Sequence, residues 1–368
     1  MNKHQKHTAI AKRDNDNFAP NEVAFLGANC SVISNLVHQI SQKLTNYKLA
    51  YIDASHAKDV NQHKLTTFTF HVNGNLQTTT VLPLNKYEQR IRFSEFDYLF
   101  INGNHFEGAK QILILDPEKE ASVLKRLNQL TKIQFIIKLK EDTAFFPFLE
   151  EKYPHIKNIT TYTIDQIDKI SSHVYNLIQE KIAPVKGLVL VGGKSTRMGT
   201  NKSALQYYDK PQKEVVKKLL ENNLLDTYFS VANSSTDEKD INDTFLNLGP
   251  FGGICSAFQK DPNAAWLVLP IDVPFVDEKL IKLLLEKRNP SKIATAIKAK
   301  NKDFPEPLIA IYEPKAYSRL LQYLAQGYSC PRKMLINADV EIVEVADQLV
   351  RNVNTFEEYK AAKKEINL

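Results

Sequence analysis

The sequence predicts an α/β protein made of two three-layer α/β/α domains, each on a mostly parallel sheet. Three observations carry this. Short apolar runs alternate along the whole chain with longer segments of helical spacing, the signature of successive βα units. The same opening occurs twice, a buried-strand run entering a glycine turn, at EVAFLGANCSVISNLVHQI and again at VKGLVLVGGKSTRMG. The chain is also too long, at 368 residues, for one ordinary domain, and EKIAPVKG around Pro184 ends a helical stretch between the two openings. The expected division is a disordered basic tail over 1–19, a first domain over 20–182 and a second over 183–368.

In the first half, EVAFLG, KLAYID, FTFHV, FDYLFING, QILILD and IQFIIKL read as strands. ASVLKRLNQL and IDKISSHVYNLIQEKI place apolar residues at helical spacing. In the second half the strands are GLVLVG, TYFSVA, AWLVLPID, IATAIKA and PLIAIYE, and the helices QKEVVKKLLENN, DEKLIKLLLEKR and PKAYSRLLQYLAQ. Asp277 is placed to cap the second of these helices and Gly327 to end the third. A last helix begins at Thr355, with Glu358 three places on completing a capping box. In such sheets ligands bind beyond the carboxyl ends of the strands, so the residues just after each strand carry the function.

Composition narrows the classes. Hydrophobic content of 43% and charged content of 24% are those of a soluble globular chain, and no apolar run approaches a membrane span. MNKHQKHTAIAKR at the start is basic but lacks the apolar core of a secretory signal. A net charge of +6 suits small anionic substrates and falls short of a nucleic-acid footprint. Cys30, Cys255 and Cys330 are far apart and form neither a disulfide framework nor a zinc motif, which points to a reducing cytoplasm. All nine histidines lie at or before His173, so chemistry in the second half must rest on carboxylates, Lys, Arg and a metal ion.

The strand ends of the second half carry that chemistry. After GLVLV come Gly192 and Gly193, then Lys194, Ser195, Arg197 and Lys202. The stretch is not a P-loop, since Leu188 stands where the first glycine of that motif belongs. Paired glycines let backbone N–H groups approach an anion, and Arg and Lys neutralise a polyphosphate. An ordinary strand-to-helix turn would account for the glycines alone, but not for the basic residues. VANSS offers Asn233 to a base or ribose edge, with a self-satisfied turn asparagine as the alternative. LGPFGGICSAF sets Gly252 and Gly253 at a helix start, where a flat ring can lie against bare backbone. AWLVLPIDVPFV ends a buried strand on Asp272, a natural Mg²⁺ ligand beside substrate phosphates. Asp277 is better placed than Asp272 to cap the following helix.

In order, LVGGKSTRMGTNKSAL, GPFGGI, LPIDVPF and VNTFEEY resemble the signature set of the molybdenum cofactor guanylyltransferase family, nucleotidyltransferases with a Rossmann-like fold. The resemblance covers residues 186–366. Its first motif is shared with other sugar and cofactor nucleotidyltransferases, while Gly-Pro-x-x-Gly favours the guanylyl branch over its cytidylyl relatives. The resemblance implies that Leu190, Val191 and Gly192 line the nucleotide with backbone groups and that Lys202 contacts its phosphates. It implies that Asn233 and Asp243 help hold the nucleoside and that Asp272 binds Mg²⁺. The docked anion would then be GTP. The phosphate monoester of molybdopterin cofactor would attack its α-phosphorus and expel pyrophosphate. That nucleophile, with a second pKa near ~6, needs no strong protein base. Positioning and charge neutralisation by Mg²⁺, Lys202 and Arg197 would suffice.

Three positions depart from the family pattern: Asn201 replaces an Asp, Val191 a small alanine and Asp209 a glycine. Two rival readings stay open. One is a nucleotidyltransferase with another acceptor or base, and the other is a non-catalytic carrier that delivers nucleotide or cofactor, with apo-molybdoenzymes or other cofactor-biosynthesis proteins as its partners.

In the first half, GANCSVIS begins where a phosphate loop would, but Val32 and Ile33 stand where Gly and Lys are required. FDYLFINGNHFEGAKQILILD is similar to a stretch of the GTP-binding adapter family of molybdopterin guanine dinucleotide synthesis, with Asn102 in place of Glu before Gly103 and Lys110 before the second strand. This implies a degenerate P-loop-like adapter domain that docks or holds a cofactor and does not hydrolyse GTP. His105 and His56 follow strand ends and are candidates to touch a ligand there, although a loop histidine is more commonly just solvated.

Overall fold

The computed structural model of the chain describes residues 9–55, 66–71, 76–79, 85–191, 205–223, 225–232 and 235–366. It divides into two compact units, Asp14–Lys181 and Ile182–Leu368. Arg13 belongs with the second of these, its Nη1 donating to Pro262 O at 2.9 Å. No helix among the described residues is long and apolar enough to cross a membrane.

The first unit contains β1 (Glu22–Leu26), α1 (Cys30–Lys43), β2 (Leu49–Ile52), β3 (Thr67–Phe70), β4 (Leu76–Thr79), α2 (Lys86–Phe93), β5 (Tyr98–Asn102) and β6 (Gln111–Leu115). It continues with α3 (Glu120–Lys125), β7 (Ile133–Lys138), α4 (Pro147–Lys152), β8 (Thr161–Thr163) and α5 (Ile167–Gln179). Six strands form one sheet in the order β2-β5-β1-β6-β7-β8, every pair parallel. The central strands β1, β5 and β6 are buried at every residue, as expected for a sheet covered on both faces. On one face, Ile33, Leu36 and Ile40 of α1 and Ile170 and Val174 of α5 pack with Phe25, Phe100 and Ile114. On the other, Val123 of α3 and Leu149 of α4 meet Leu26, Leu113 and Ile136. Within the run FTFHV, residues 68–70 belong to a strand, but in a two-stranded antiparallel ribbon with β4.

The end of the tail expected over residues 1–19 is folded. Residues 17–19 fold onto the first unit because the fully buried Glu22 carboxylate accepts the N–H groups of Asn17 (3.1 Å), Phe18 (2.7 Å), Ala19 (3.0 Å) and Ala109 (2.9 Å). A buried carboxylate needs that many donors, and this segment supplies them.

The second unit contains β9 (Val185–Leu190), α6 (Gln212–Glu221), β10 (Asp226–Val231), β11 (Asp240–Asn242), α7 (Pro250–Lys260), β12 (Ala265–Pro270) and α8 (Glu278–Glu286). Then follow β13 (Ala294–Ala299), β14 (Glu306–Tyr312), α9 (Lys315–Ala325), α10 (Pro331–Ile336), β15 (Val340–Val345) and α11 (Phe356–Ile366). The sheet order is β11-β10-β9-β12-β14-β13-β15. Only β14 runs antiparallel to its neighbours, so the sheet is mostly parallel, as the alternation of elements predicts. Phe251, Ile254 and Phe258 of α7, with Leu320 of α9, cover one face against Leu188, Trp266 and Ala310. Val216 and Leu220 of α6, with Leu280, Ile281 and Leu284 of α8, cover the other against Val189, Leu267 and Ile309. Each such fully buried aliphatic side chain contributes about 1.5–3 kcal/mol.

The helix ends follow the sequence. Asp277 caps α8 by accepting Leu280 N–H at 2.8 Å, and Gly327 takes φ +81° beyond α9. Thr355 and Glu358 form the capping box of α11, with Glu358 N–H to Thr355 Oγ1 at 3.2 Å and Thr355 N–H to Glu358 Oε2 at 3.0 Å.

Candidate active site

Register brings four strand ends of the second unit to one line. Leu190 on β9 pairs with Ser230 on β10 and with Pro270 on β12, and Val231 on β10 pairs with Asn242 on β11. The residues that continue these strands therefore share the carboxyl edge: Val191, Ala232, Asp243 and the Ile271–Asp272 pair. Leu190 buries its side chain and leaves its backbone at the rim, and Val191 N–H reaches Ser230 O at 3.4 Å. Gly192, Gly193, Lys194, Ser195, Arg197, Asn201, Lys202 and Asn233 lie outside the described residues.

Asp243 follows β11, a strand too short and polar to be read from sequence. Its N–H donates to Val231 O (2.9 Å), and its Oδ1 accepts Phe245 N–H (2.9 Å) and lies 3.1 Å from Ser256 Oγ on α7. The carboxylate thus holds the loop 243–245 against the start of α7, where a negative charge is also favoured by the helix N-terminus.

The glycine pair has a different use from the one its sequence suggests. A Cβ on Gly252 would stand 2.4 Å from Phe245 O, and one on Gly253 2.4 Å from Ser230 Oγ and 3.1 Å from Leu190 Cδ2. Both residues are buried and turn their bare α-carbons to the protein. They let α7 sit close on β9, β10 and the Asp243 loop, so no ring is needed to explain them. The conformationally demanding glycine is Gly249, the residue before the helix, at φ +57°.

Asp272 stands two residues beyond β12, half-buried, and its carbonyl accepts Val353 N–H at 2.8 Å. Capping of α8 falls to Asp277, so Asp272 has no such duty. Beside it Tyr207 is buried to 1% exposure, and its hydroxyl has no hydrogen-bond partner among the described residues. Burial first, then the charges of Asp272, Tyr359 and Glu358, push its ionisation well above the usual phenol range. The segment carrying Tyr207 is fastened on both sides, by Tyr208 Oη to Pro274 O (3.0 Å) and by Tyr359 Oη to Gln206 O (2.9 Å). Sequence reading passed over Tyr207; a tyrosine shortly after the basic stretch was the available signal.

A groove of about 930 Å³ opens where β13, β14 and β15 meet the chain leading into α11. Asn301, Lys302, Arg332, Asp347, Arg351 and Asn352 are among its lining residues. Arg332 pairs with Glu306 and Arg351 with Glu365, and Arg351 also lies over the Phe275 ring at 4.0 Å. The Val353–Asp272 bond joins this wall directly to the carboxyl edge of β12. Among the described residues no group of three or more His, Cys, Asp or Glu is arranged to hold a metal.

In the first unit, Ile33 stands where a phosphate-loop lysine would be and is wholly buried in the core. Lys110 lies at the amino end of β6, away from the Gly27 turn, with Nζ on Asn21 Oδ1 at 3.3 Å; burial lowers its pKa. His56 lies outside the described residues, and His105 is found beside Cys30.

Residues 187–341 match the family model of the MobA-like NTP transferase domain. The chain is 27% identical over 215 residues to a molybdenum cofactor biosynthesis bifunctional protein of Synechocystis sp., a match covering 56% of this chain and 62% of that relative's length. It is 31% identical over 140 residues to a probable molybdenum cofactor guanylyltransferase of Methanothermobacter thermautotrophicus, covering 34% of this chain and 70% of the relative. Among solved structures it is similar to molybdopterin-guanine dinucleotide biosynthesis protein A from Archaeoglobus fulgidus, with 27% identity, a TM-score of 0.42, and coverage of 50% of this chain and 98% of that one. Through its second unit, the chain belongs to the molybdenum cofactor guanylyltransferase family of nucleotidyltransferases.

Proposed function

We propose that this chain transfers GMP from GTP to molybdopterin cofactor and releases pyrophosphate. The observation that carries the reading is the shared carboxyl edge, where Asp272 stands in register with the β9 end that leads into the basic glycine stretch. The nucleotide lies over Leu190, Val191, Gly192 and Gly193, with Asn233 towards the nucleoside and Lys202 and Arg197 on the phosphates. Asp243, Gly252 and Gly253 act on it indirectly, by fixing α7 and its loop.

The donor set fits Mg²⁺. A half-buried carboxylate oxygen beside a polyphosphate is the environment this ion prefers, since it keeps waters and takes one or two carboxylates. Asp272 would hold it, and bound there it would neutralise charge on the phosphates. The chain's own contribution is placement: Val353 N–H on the Asp272 carbonyl fixes the loop that carries the carboxylate. The acceptor is molybdopterin cofactor, anionic through its phosphate. Its phosphate monoester is largely ionised at neutral pH, so no histidine is required.

The first unit is read as a docking or cofactor-holding module for delivery to apo-molybdoenzymes. Its turn at Gly27 lacks the lysine and second glycine that phosphate binding needs.

The test is pyrophosphate release by the full chain with Mg²⁺, GTP and molybdopterin cofactor, with CTP and Asp272→Ala as controls. Release that requires GTP and collapses in the variant supports guanylyl transfer. GTP binding without release in the presence of a competent acceptor overturns it and leaves the carrier reading.

A further inference from the structure

The first unit gathers a second set of reactive side chains that none of the roles above uses. Cys30 opens α1 directly after the turn at Gly27. Gly27 holds φ +103°, and a Cβ there would stand 2.1 Å from Ile114 O, so the sharp entry into the helix depends on glycine. His105 follows β5 and Asp53 follows β2, the strands that stand in succession beside β1. Across this carboxyl edge Cys30 Sγ lies 3.2 Å from His105 Nε2, and the same nitrogen lies 3.8 Å from Asp53 Oδ1.

Neighbouring bonds hold Asp53 and the loops carrying Cys30 and His105 in place. Asn102 Nδ2 donates to Asp53 Oδ1 at 2.8 Å, and Tyr51 Oη donates to Asp53 Oδ2 at 2.9 Å. Asn104 Nδ2 donates to Ala28 O at 2.8 Å and lies 3.8 Å from Cys30 Sγ, while Arg126 Nη2 holds the Asn104 carbonyl at 2.7 Å. The His105 side chain keeps 18% of its exposure and Asp53 31%, and Cys30 is half-buried, so a small solute can reach the thiol.

An imidazole in contact with a thiol can take its proton, and the thiolate is the nucleophilic form. The other cysteines lack these features. Cys255 is wholly buried, and burial pushes its thiol up to about 12. Cys330 is exposed, with no imidazole bonded to it among the described residues.

We propose that Cys30, activated by His105 with Asp53 as the positioning carboxylate, is a covalent site for small disulfides. The Cys30 thiolate attacks one sulfur of R–S–S–R′, the S–S bond breaks, and a Cys30–S–S–R mixed disulfide forms. The expelled R′–S⁻ takes the proton held by His105. Cys30 is oxidised and the R′ sulfur reduced. Residues 14–181 contain no second cysteine, so within this unit release of R requires attack by a second small thiol. The imidazole presents one nitrogen to both thiol and carboxylate, whereas in an acyl-transfer triad the carboxylate orients the other ring nitrogen. Direct contact of thiol and imidazole is the geometry that proton removal during exchange uses.

The experiment is site-resolved mass spectrometry of the full native chain exposed to glutathione disulfide, with rates read separately at each cysteine. Cys30 is expected to react at least about tenfold faster than the more exposed Cys330, with Cys255 unmodified. His105→Asn should slow Cys30 by about tenfold or more and leave Cys330 unchanged, with Asp53→Asn having a smaller effect in the same direction. A wild-type Cys30 rate equal to or below that of Cys330 overturns the proposal whatever the variants do. So does a folded His105→Asn or His105→Gln chain in which Cys30 reacts as fast as before.

Discussion

Replacing Gly252 by alanine puts a methyl group where the structure has no room. Its Cβ would stand 2.4 Å from Phe245 O and 3.0 and 3.1 Å from the two Asp243 carboxylate oxygens. Phe245 O is backbone in a loop that Asp243 already ties down, so either that loop or α7 must move. Alanine gains about 1 kcal/mol in helix propensity, while overpacking costs about 1–3 kcal/mol. The net is a loss of up to about 2 kcal/mol, which for a unit of this size lowers Tm by up to about 8 °C. Gly253→Ala meets instead the hydroxyl of Ser230, the end of a side chain that can turn or be removed. The Gly253→Ala, Ser230→Ala pair should therefore recover most of what Gly253→Ala loses. Circular dichroism melts of the variants, paired with KM for GTP, decide the matter. A Gly252→Ala chain that melts at or above the wild type, with GTP binding lost, would refute the packing argument and restore a ligand lying on bare backbone.

Arg288→Met should cost about 3–5 kcal/mol in urea unfolding. It strands the Glu313 carboxylate, which is only 2% exposed and takes Arg288 Nε at 2.7 Å and Nη2 at 2.8 Å. Acid stability should depend on the Lys186–Asp261 pair, 2.8 Å apart. Burial raises the Asp261 carboxyl, but hydrogen bonds from Lys186 and from the Asn263 and Ala264 backbone outweigh it, so its pKa is lowered on folding. A lowered carboxylate stabilises the fold above its unfolded value of about 4, and that contribution is lost as pH falls through the folded value. Lys186→Met should accordingly lower stability at neutral pH and flatten the acid limb of a pH titration of Tm; an unchanged limb would rule the pair out as its source. Asp277→Ala removes the α8 cap and should cost about 1 kcal/mol by denaturant melt.

What sequence could reveal depended on how local each feature is. The caps at Asp277 and Thr355 and the buried runs of β9 and β12 are properties of a few neighbouring residues, and they are found where expected. The three-residue β11 has no apolar run, and β15, VEIVEV at the sheet edge, has its apolar positions interrupted by two glutamates, so neither announces itself. Strand direction leaves no trace in a buried run, which hides the reversal of β14. The packing role of Gly252 and Gly253 is set by Phe245 and Ser230, which only the fold brings near. Likewise His105 could be noticed as a loop histidine, while its partner Cys30 lies 75 positions away.

The reversal of β14 also bears on how this chain can diversify. Because the strand runs backwards, its amino end lies at the same edge as the carboxyl ends of the others, and its link to β13 is a hairpin tip over 300–305. One wall of the groove is therefore a surface turn whose residues, Asn301 to Phe304, stand outside both hydrophobic layers. Insertions and substitutions there leave sheet register and core untouched. That turn can drift quickly while the strand ends and the close-packed glycines of α7 stay fixed.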